Sequence, residues 1–315
     1  MNIISKIKLN YYNNLFQTYI NDNNRDDFIH LYEKCVKGSS ELSKLLLKYA
    51  GHAIDMPESE KIFNKNIVWI NSFDLDDCHL VNNFIRSYFI EENIEINNYC
   101  ESLANENRIS QFFNKITFND FQQHSYYFQL QLCNSNNQLP RFLNSGAAFF
   151  ETADGKMFTH PRLTACYIYI IKNPLDIFKK LLKSFDAQTS LALGKLLNLD
   201  QQPEIVDSQI TIEEMQSDWA TNVHSWTNEN VVNTFRGLII KYEDLINDPT
   251  DTLASIIFHL NESGYNFKLD YKKIGSFINT MVFPKTLNDN DVPSSSKKRI
   301  SRALHKEAHK HGYDI

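Results

Sequence analysis

Three short apolar runs constrain this chain more than any other feature: Ile67-Val68-Trp69-Ile70, Cys166-Tyr167-Ile168-Tyr169-Ile170-Ile171 and Leu238-Ile239-Ile240. None alternates with polar residues, so neither face of the strands they would form is built for water. Each is followed by polar or turn-forming residues and then by a helical pattern. Apolar strands interleaved with helices specify a parallel sheet covered on both faces. The expected strands lie near residues 66–71, 166–171 and 236–241. In such a fold the loops that follow the strands open the crevice where ligands bind.

Residues 1–62 read as a helical extension ahead of an α/β domain at 63–315. Phe28, Leu31, Tyr32 and Cys35 recur at helical spacing, and Leu42, Leu45, Leu46 and Tyr49 do so again. Gly38-Ser39-Ser40 punctuates the two, with a serine placed to cap the second helix. Asparagine-rich stretches, Asn21 to Asn24 and Asn134 to Asn137, read as loops, and an AT-rich genome accounts for their bias. From Pro293 to Tyr313 the chain reads as a basic helix with His305, His309 and His311 near its end, where cations complement the dipole.

A net charge of −6 leaves no global basic surface for nucleic acid or anionic lipid. No apolar run approaches the ~20 residues of a membrane-spanning helix, and the opening MNIISKIKLNYYNNLF lacks the ordered regions of a signal peptide. The five cysteines, Cys35, Cys78, Cys100, Cys133 and Cys166, are odd in number and never spaced as CxxC, which fits neither a disulfide framework nor a zinc site. The expectation is a cytoplasmic chain that binds a small molecule or a protein partner.

Three motifs narrow this. Trp219-Ala220-Thr221-Asn222-Val223-His224-Ser225-Trp226 is followed by Leu238 to Leu245, containing Lys241-Tyr242-Glu243-Asp244, and then by Asp248-Pro249. That order resembles the sulfotransferase pattern W-x3-V-x-S-W, a strand ending in R-Y-E-D-L, and D-P. Ile168 to Asp176, with Lys172-Asn173-Pro174, resembles the family's strand-turn I-Y-x-x-R-N-P-x-D. Ile67 to Phe73 resembles the strand entering its phosphosulfate loop. Over roughly residues 66–313, the resemblance implies a P-loop NTPase-like sulfotransferase fold: a parallel central sheet flanked by helices, binding 3′-phosphoadenosine-5′-phosphosulfate.

Sulfuryl transfer needs amides and a cation around the bridging phosphate, a base for the acceptor, and donors to the 3′-phosphate. Here the loop reads Ser72-Phe73-Asp74-Leu75-Asp76-Asp77-Cys78-His79. By the resemblance, the family proline falls on Asp74, its lysine on Leu75, its glycine on Asp77 and its threonine on His79. The loop has lost its cation and gained three carboxylates. The family histidine falls on Ser145 within Leu143 to Ala147, while a rival register offers His160 as the catalytic base. Ser72, Lys172 and Lys180 stand at positions that would contact the cofactor's phosphates. The closing R-K-G loop is absent, with Phe283-Pro284-Lys285 in its place.

Three readings of Asp74, Asp76, Asp77 and His79 stay open: capping of the next helix, a rebuilt cation site for a metal or an amine, and a loop that still tolerates nucleotide. If the fold is kept, the cleft is expected to be acidic at the loop and basic farther in, at Lys172 and Lys180. Two functions follow. One is a sulfotransferase-family protein with a degenerate donor site, non-catalytic or repurposed to bind another small molecule or partner and requiring no cofactor. The other is a divergent active enzyme using 3′-phosphoadenosine-5′-phosphosulfate on a hydroxyl or amine acceptor, with Lys172 and Lys180 holding the nucleotide and His160 as base.

Overall fold

The computed structural model describes residues 3–22, 24–36, 49–54, 65–92, 94, 96–99, 125–126, 128–130, 132–133, 139–151, 157–199, 217–281 and 292–315. Gly38 to Leu46, Cys100, Asn134 to Asn137 and Phe283 to Lys285 lie outside them. The expected strands form as β1 (Ile67–Ser72), β4 (Thr164–Ile171) and β5 (Gly237–Lys241). Two further strands, β2 (Ile96–Asn98) and β3 (Arg141–Ser145), complete a five-stranded sheet of order β2-β3-β1-β4-β5. Every pairing is parallel.

The unbroken apolar runs are explained by this sheet. Every residue of β1 and β4 is buried. Side chains alternate between two cores, with Trp69, Tyr167 and Tyr169 on one face and Val68, Ile70, Ile168 and Ile170 on the other. The second face is covered by α3 (Cys78–Tyr88), α9 (Pro249–Glu262) and α10 (Tyr271–Thr280), whose Phe84 and Phe277 rings meet at 5.4 Å. The first face carries α4 (Pro174–Ser184), α5 (Thr189–Leu197), α6 (Trp219–Thr227), α7 (Glu229–Phe235) and α11 (Ser294–Lys310). Between β5 and α9 runs the short α8 (Tyr242–Asn247).

Two N-terminal helices form, α1 (Ile3–Asn21) and α2 (Arg25–Val36), and α2 follows the spacing of Phe28, Leu31, Tyr32 and Cys35, all four of which are buried. Phe16, Phe28 and Tyr49 pack ring to ring and belong to the same apolar cluster as the first face of the sheet. Among the described residues no helix is long and apolar enough to cross a membrane.

The tryptophan motif has a structural purpose. Trp69, Trp219 and Trp226 are fully buried. From α6, Asn222 Nδ2 donates to Gly146 O at 2.9 Å and Trp226 Nε1 to Ala147 O at 2.9 Å. Ser225 Oγ accepts from Phe149 N at 2.8 Å. The motif thus clasps the backbone that leaves β3, giving buried carbonyls and an amide the partners they need.

Candidate functional site

Parallel strands end side by side, so the loop after β1 and the turn after β4 emerge as neighbours at the sheet's carboxyl edge. The β1 loop tightens at once into a 3₁₀ turn, Leu75–Asp77, that runs into α3. Asp74 caps this turn, its Oδ1 accepting from Asp76 N at 3.1 Å. Asp77 precedes α3 but makes no capping bond, because its carboxylate turns inward. Capping therefore accounts for one of the three carboxylates.

The inward turn brings Asp77 to Lys172. Lys172 Nζ lies 2.7 Å from Asp77 Oδ1, with side chains 12% and 3% exposed, and 4.0 Å above the Tyr242 ring. The second lysine, Lys180, reaches from α4 to Asp74 Oδ2 at 2.5 Å and Asp76 Oδ2 at 2.8 Å. On the solvent side His79 Nε2 stands 3.4 Å from Asp76 Oδ1. Every carboxylate of the loop is thus paired with a lysine. The expected division into acidic and basic ends is not found. Strands this close set the two loops within one lysine's reach, and opposite charges meet rather than divide the cleft.

Burial and pairing compete over the protonation of these groups. Burial raises Asp77 to about 6, a pull that the Lys172 charge only partly offsets. Its second oxygen, Oδ2, is buried without a hydrogen-bond partner. Asp76 is held below the usual carboxylate range by its hydrogen bond to Lys180, against a smaller opposing effect of burial. Burial lowers Lys180, but hydrogen bonds to Asp74 and Asp76 more than offset it and leave the ammonium raised. Cys78, beside the cluster, is fully buried; burial first and then the Asp77, Asp74 and Asp76 charges push its thiol well above the ordinary value. Its Sγ donates to Ile70 O at 3.6 Å.

A second carboxylate holds the turn that aims Lys172. Glu243 Oε1 accepts from Asn173 N at 3.0 Å, and Glu243 Oε2 accepts from the Tyr313 hydroxyl at 2.8 Å. Asn173 itself caps α4, accepting from Leu175 N at 2.9 Å. Tyr242 and Glu243 thus support the site directly, with Tyr242 beneath the ammonium and Glu243 fixing the turn.

The structure brings Ser72, Asp74, Asp76, Asp77, His79, Lys172 and Lys180 together, and Ser145 lies at the same edge. Ser145 is buried, its Oγ accepting from Ala147 N at 3.1 Å, and a Cβ at Gly146 would stand 3.4 Å from Leu75 Cγ. His160 is not brought there. It lies in the turn before β4, its Nδ1 accepting from Arg162 N at 3.2 Å. The eight residues of β4 separate it from the loop, about 26 Å at about 3.3 Å per residue.

Beside the cluster lies a cleft of about 540 Å³ lined by Asp76, His79, Leu80, Asn83, Ser87, Tyr242, Phe277, Thr280 and Met281. Phe277 and Met281 come from the end of α10, where the sequence offers nothing but a helical apolar pattern to mark them. Among the described residues no group of three or more His, Cys, Asp or Glu side chains is arranged to hold a metal ion. The cation that Asp74 and Asp76 hold is the ammonium of Lys180.

No protein-family profile matches the chain, and no curated protein matches it. Solved structures do. The crystal structure of mouse sulfotransferase SULT7A1 complexed with PAP is similar over 82% of this chain and 91% of that one, at 13% sequence identity and a TM-score of 0.42. The crystal structure of retinol dehydratase in a complex with retinol and PAP is similar over 85% of this chain and 87% of that one, at 12% identity and a TM-score of 0.40.

Proposed function

We propose that this chain is a sulfotransferase-family protein whose donor site is degenerate and non-catalytic, and whose remaining cleft binds a small planar molecule that is neutral or cationic. The observation that carries this reading is the pairing of both lysines with loop carboxylates. Lys172 and Lys180, the cations left to meet phosphate, are held by Asp77 and by Asp74 with Asp76. A phosphate would have to break these pairs and then sit beside the released carboxylates. Like charges about 4 Å apart repel by about 4 kcal/mol at an effective dielectric near 20. The family assignment is supported by the motif residues, which do structural work here: α6 clasps the strand β3 exit, Tyr242 and Glu243 support Lys172, and Pro249 opens α9 at its first turn.

The cleft next to this closed cluster is lined in part by Tyr242, Phe277, Met281 and Asp76. Aromatic and sulfur surfaces favour a flat ring, and a carboxylate at the rim favours a ligand without negative charge. Calorimetric titration with adenosine 3′,5′-bisphosphate tests the reading. The expected result is no binding tighter than millimolar. Micromolar affinity would overturn it in favour of the divergent enzyme.

A further inference from the structure

The closing helix α11 carries a feature that neither the site nor the fold requires. Lys298, Arg302, Lys306 and Lys310 follow one another four residues apart, so their side chains stack in one row along the helix. All four are exposed, as are the adjacent Arg299, His305 and His309. The His305 and His309 rings stand 5.7 Å apart beside the row. Glu307, the one acid on the helix, is buried, and its Oε2 accepts from Lys310 Nζ at 2.7 Å. The apolar positions Ile300, Leu304 and Ala308 face inward to the core.

Helix stability does not explain the row. Like charges at i and i+4 destabilise a helix by about 0.2–0.5 kcal/mol per pair, and three such pairs follow in succession here. The macrodipole favours cations in the last turn, which covers Lys310, but Lys298 and Arg299 lie toward the end where it disfavours them. The first turn holds no acid to compensate. In a chain whose net charge is −6, a row of four cations of which only Lys310 has an acidic partner among the described residues is suited to an anion from outside.

We propose that the outer face of α11 docks an extended acidic segment of a partner polypeptide, with carboxylates at every second residue. The spacing carries the choice. Four residues of helix rise about 6 Å, and two residues of an extended strand advance about 6.6 Å. Four cations over about 18 Å therefore meet four alternate carboxylates over about 20 Å, within the slack of lysine and arginine side chains. Arg302 adds a planar fork that takes a carboxylate in two bonds. A bilayer fits less well, because interfacial helices anchor through an apolar face and that of α11 is already buried in the core. Nucleic acid fits less well too, because a long polyanion would extend beyond the row over a chain of net negative charge.

The test is fluorescence anisotropy at low salt with a labelled peptide of about eight residues alternating Glu and Ser. Comparison ligands are a block isomer with its four Glu contiguous, an oligothymidylate of equal charge, and phosphatidylserine vesicles. The alternating peptide is expected to bind most tightly and to lose affinity about tenfold or more with the double substitution Arg302→Glu and Lys306→Glu, equivalent to about 1.4 kcal/mol. Arg302→Gln with Lys306→Gln is the companion variant, since it relieves repulsion along the row and should weaken the peptide while leaving the melting temperature equal or higher. Absence of peptide binding, equal affinity for the two isomers, or tighter binding of the oligonucleotide or the vesicles would each overturn the proposal.

Discussion

Lys172 and Asp77 come from different loops and meet at 2.7 Å, with the lysine 12% and the aspartate 3% exposed. A pair this well buried depends on both partners. Removing one leaves the other with an uncompensated charge, a loss far larger than the pair's net contribution to stability.

The first prediction concerns pH. Asp77 sits near 6 in the folded chain against 3.8 for the free group. Its folded value is raised, so the stability it contributes is complete below about 4 and is lost as pH climbs through about 6. Urea unfolding of the wild type and of Asp77→Asn should therefore show the wild type losing stability relative to the variant between pH 4 and 6. A difference that stays constant across this window would show that Asp77 does not titrate there.

Neutralising the loop should admit anions. In the triple variant Asp74→Asn, Asp76→Asn and Asp77→Asn, the amide side chain at position 74 keeps a capping oxygen, so the turn is retained. Lys172 and Lys180 lose their carboxylates. Affinity for adenosine 3′,5′-bisphosphate should rise about tenfold or more over wild type, with the larger gain at low salt. If the folded variant gains nothing, a closed pocket and not charge is what excludes the nucleotide.

The Cys78 thiol should be inert. It opens a helix, a setting that activates many cysteines, yet burial and three neighbouring carboxylates hold the proton on sulfur. Iodoacetamide at pH 8 followed by peptide mass mapping should find Cys78 unmodified in folded protein and alkylated in urea. Fast labelling of the native chain would contradict the burial described for it.

Gly237 opens the edge strand β5 against Tyr167, whose ring a Cβ would meet at 2.3 Å. Tyr167 is itself fully buried, with its hydroxyl bonded to Trp226 O, so the ring has little room to give way. Gly237→Ala should destabilise by about 1–3 kcal/mol through overpacking, read as a lower urea midpoint with unchanged slope. A neutral result would mean that the ring shifts at no cost.

Much of the architecture was legible because it is written in continuous apolar runs. Ile67 to Ile70 and Cys166 to Ile171 could satisfy no structure with a wet face, and both became fully buried strands. Strands β2 and β3 were missed because they are short and interrupted by polar residues, Ile96-Asn97-Asn98 and Arg141 to Ser145, a composition that resembles a loop until neighbouring strands supply the hydrogen bonds. The motif order pointed to residues that the fold brings to one edge of the sheet, but charge pairing was not legible. Lys180 and Asp74 are 106 residues apart, and no spacing in sequence discloses which carboxylate an ammonium on another element will reach. His160 failed for the same reason in reverse: it precedes its strand instead of following it, which puts a plausible residue at the wrong end of the sheet.

Glu243 gives one oxygen to the Asn173 amide and the other to the Tyr313 hydroxyl. That carboxylate is a tether between the tail beyond the basic helix and the turn that points Lys172 at the loop. Pulling Tyr313 away would strip Oε2 of its donor and free the carboxylate to swing, and Asn173 would lose its anchor in the same movement. Displacing the residues after α11 would therefore disturb the turn after β4, both through Glu243 and through the bond from the Tyr313 hydroxyl to Ile171 O.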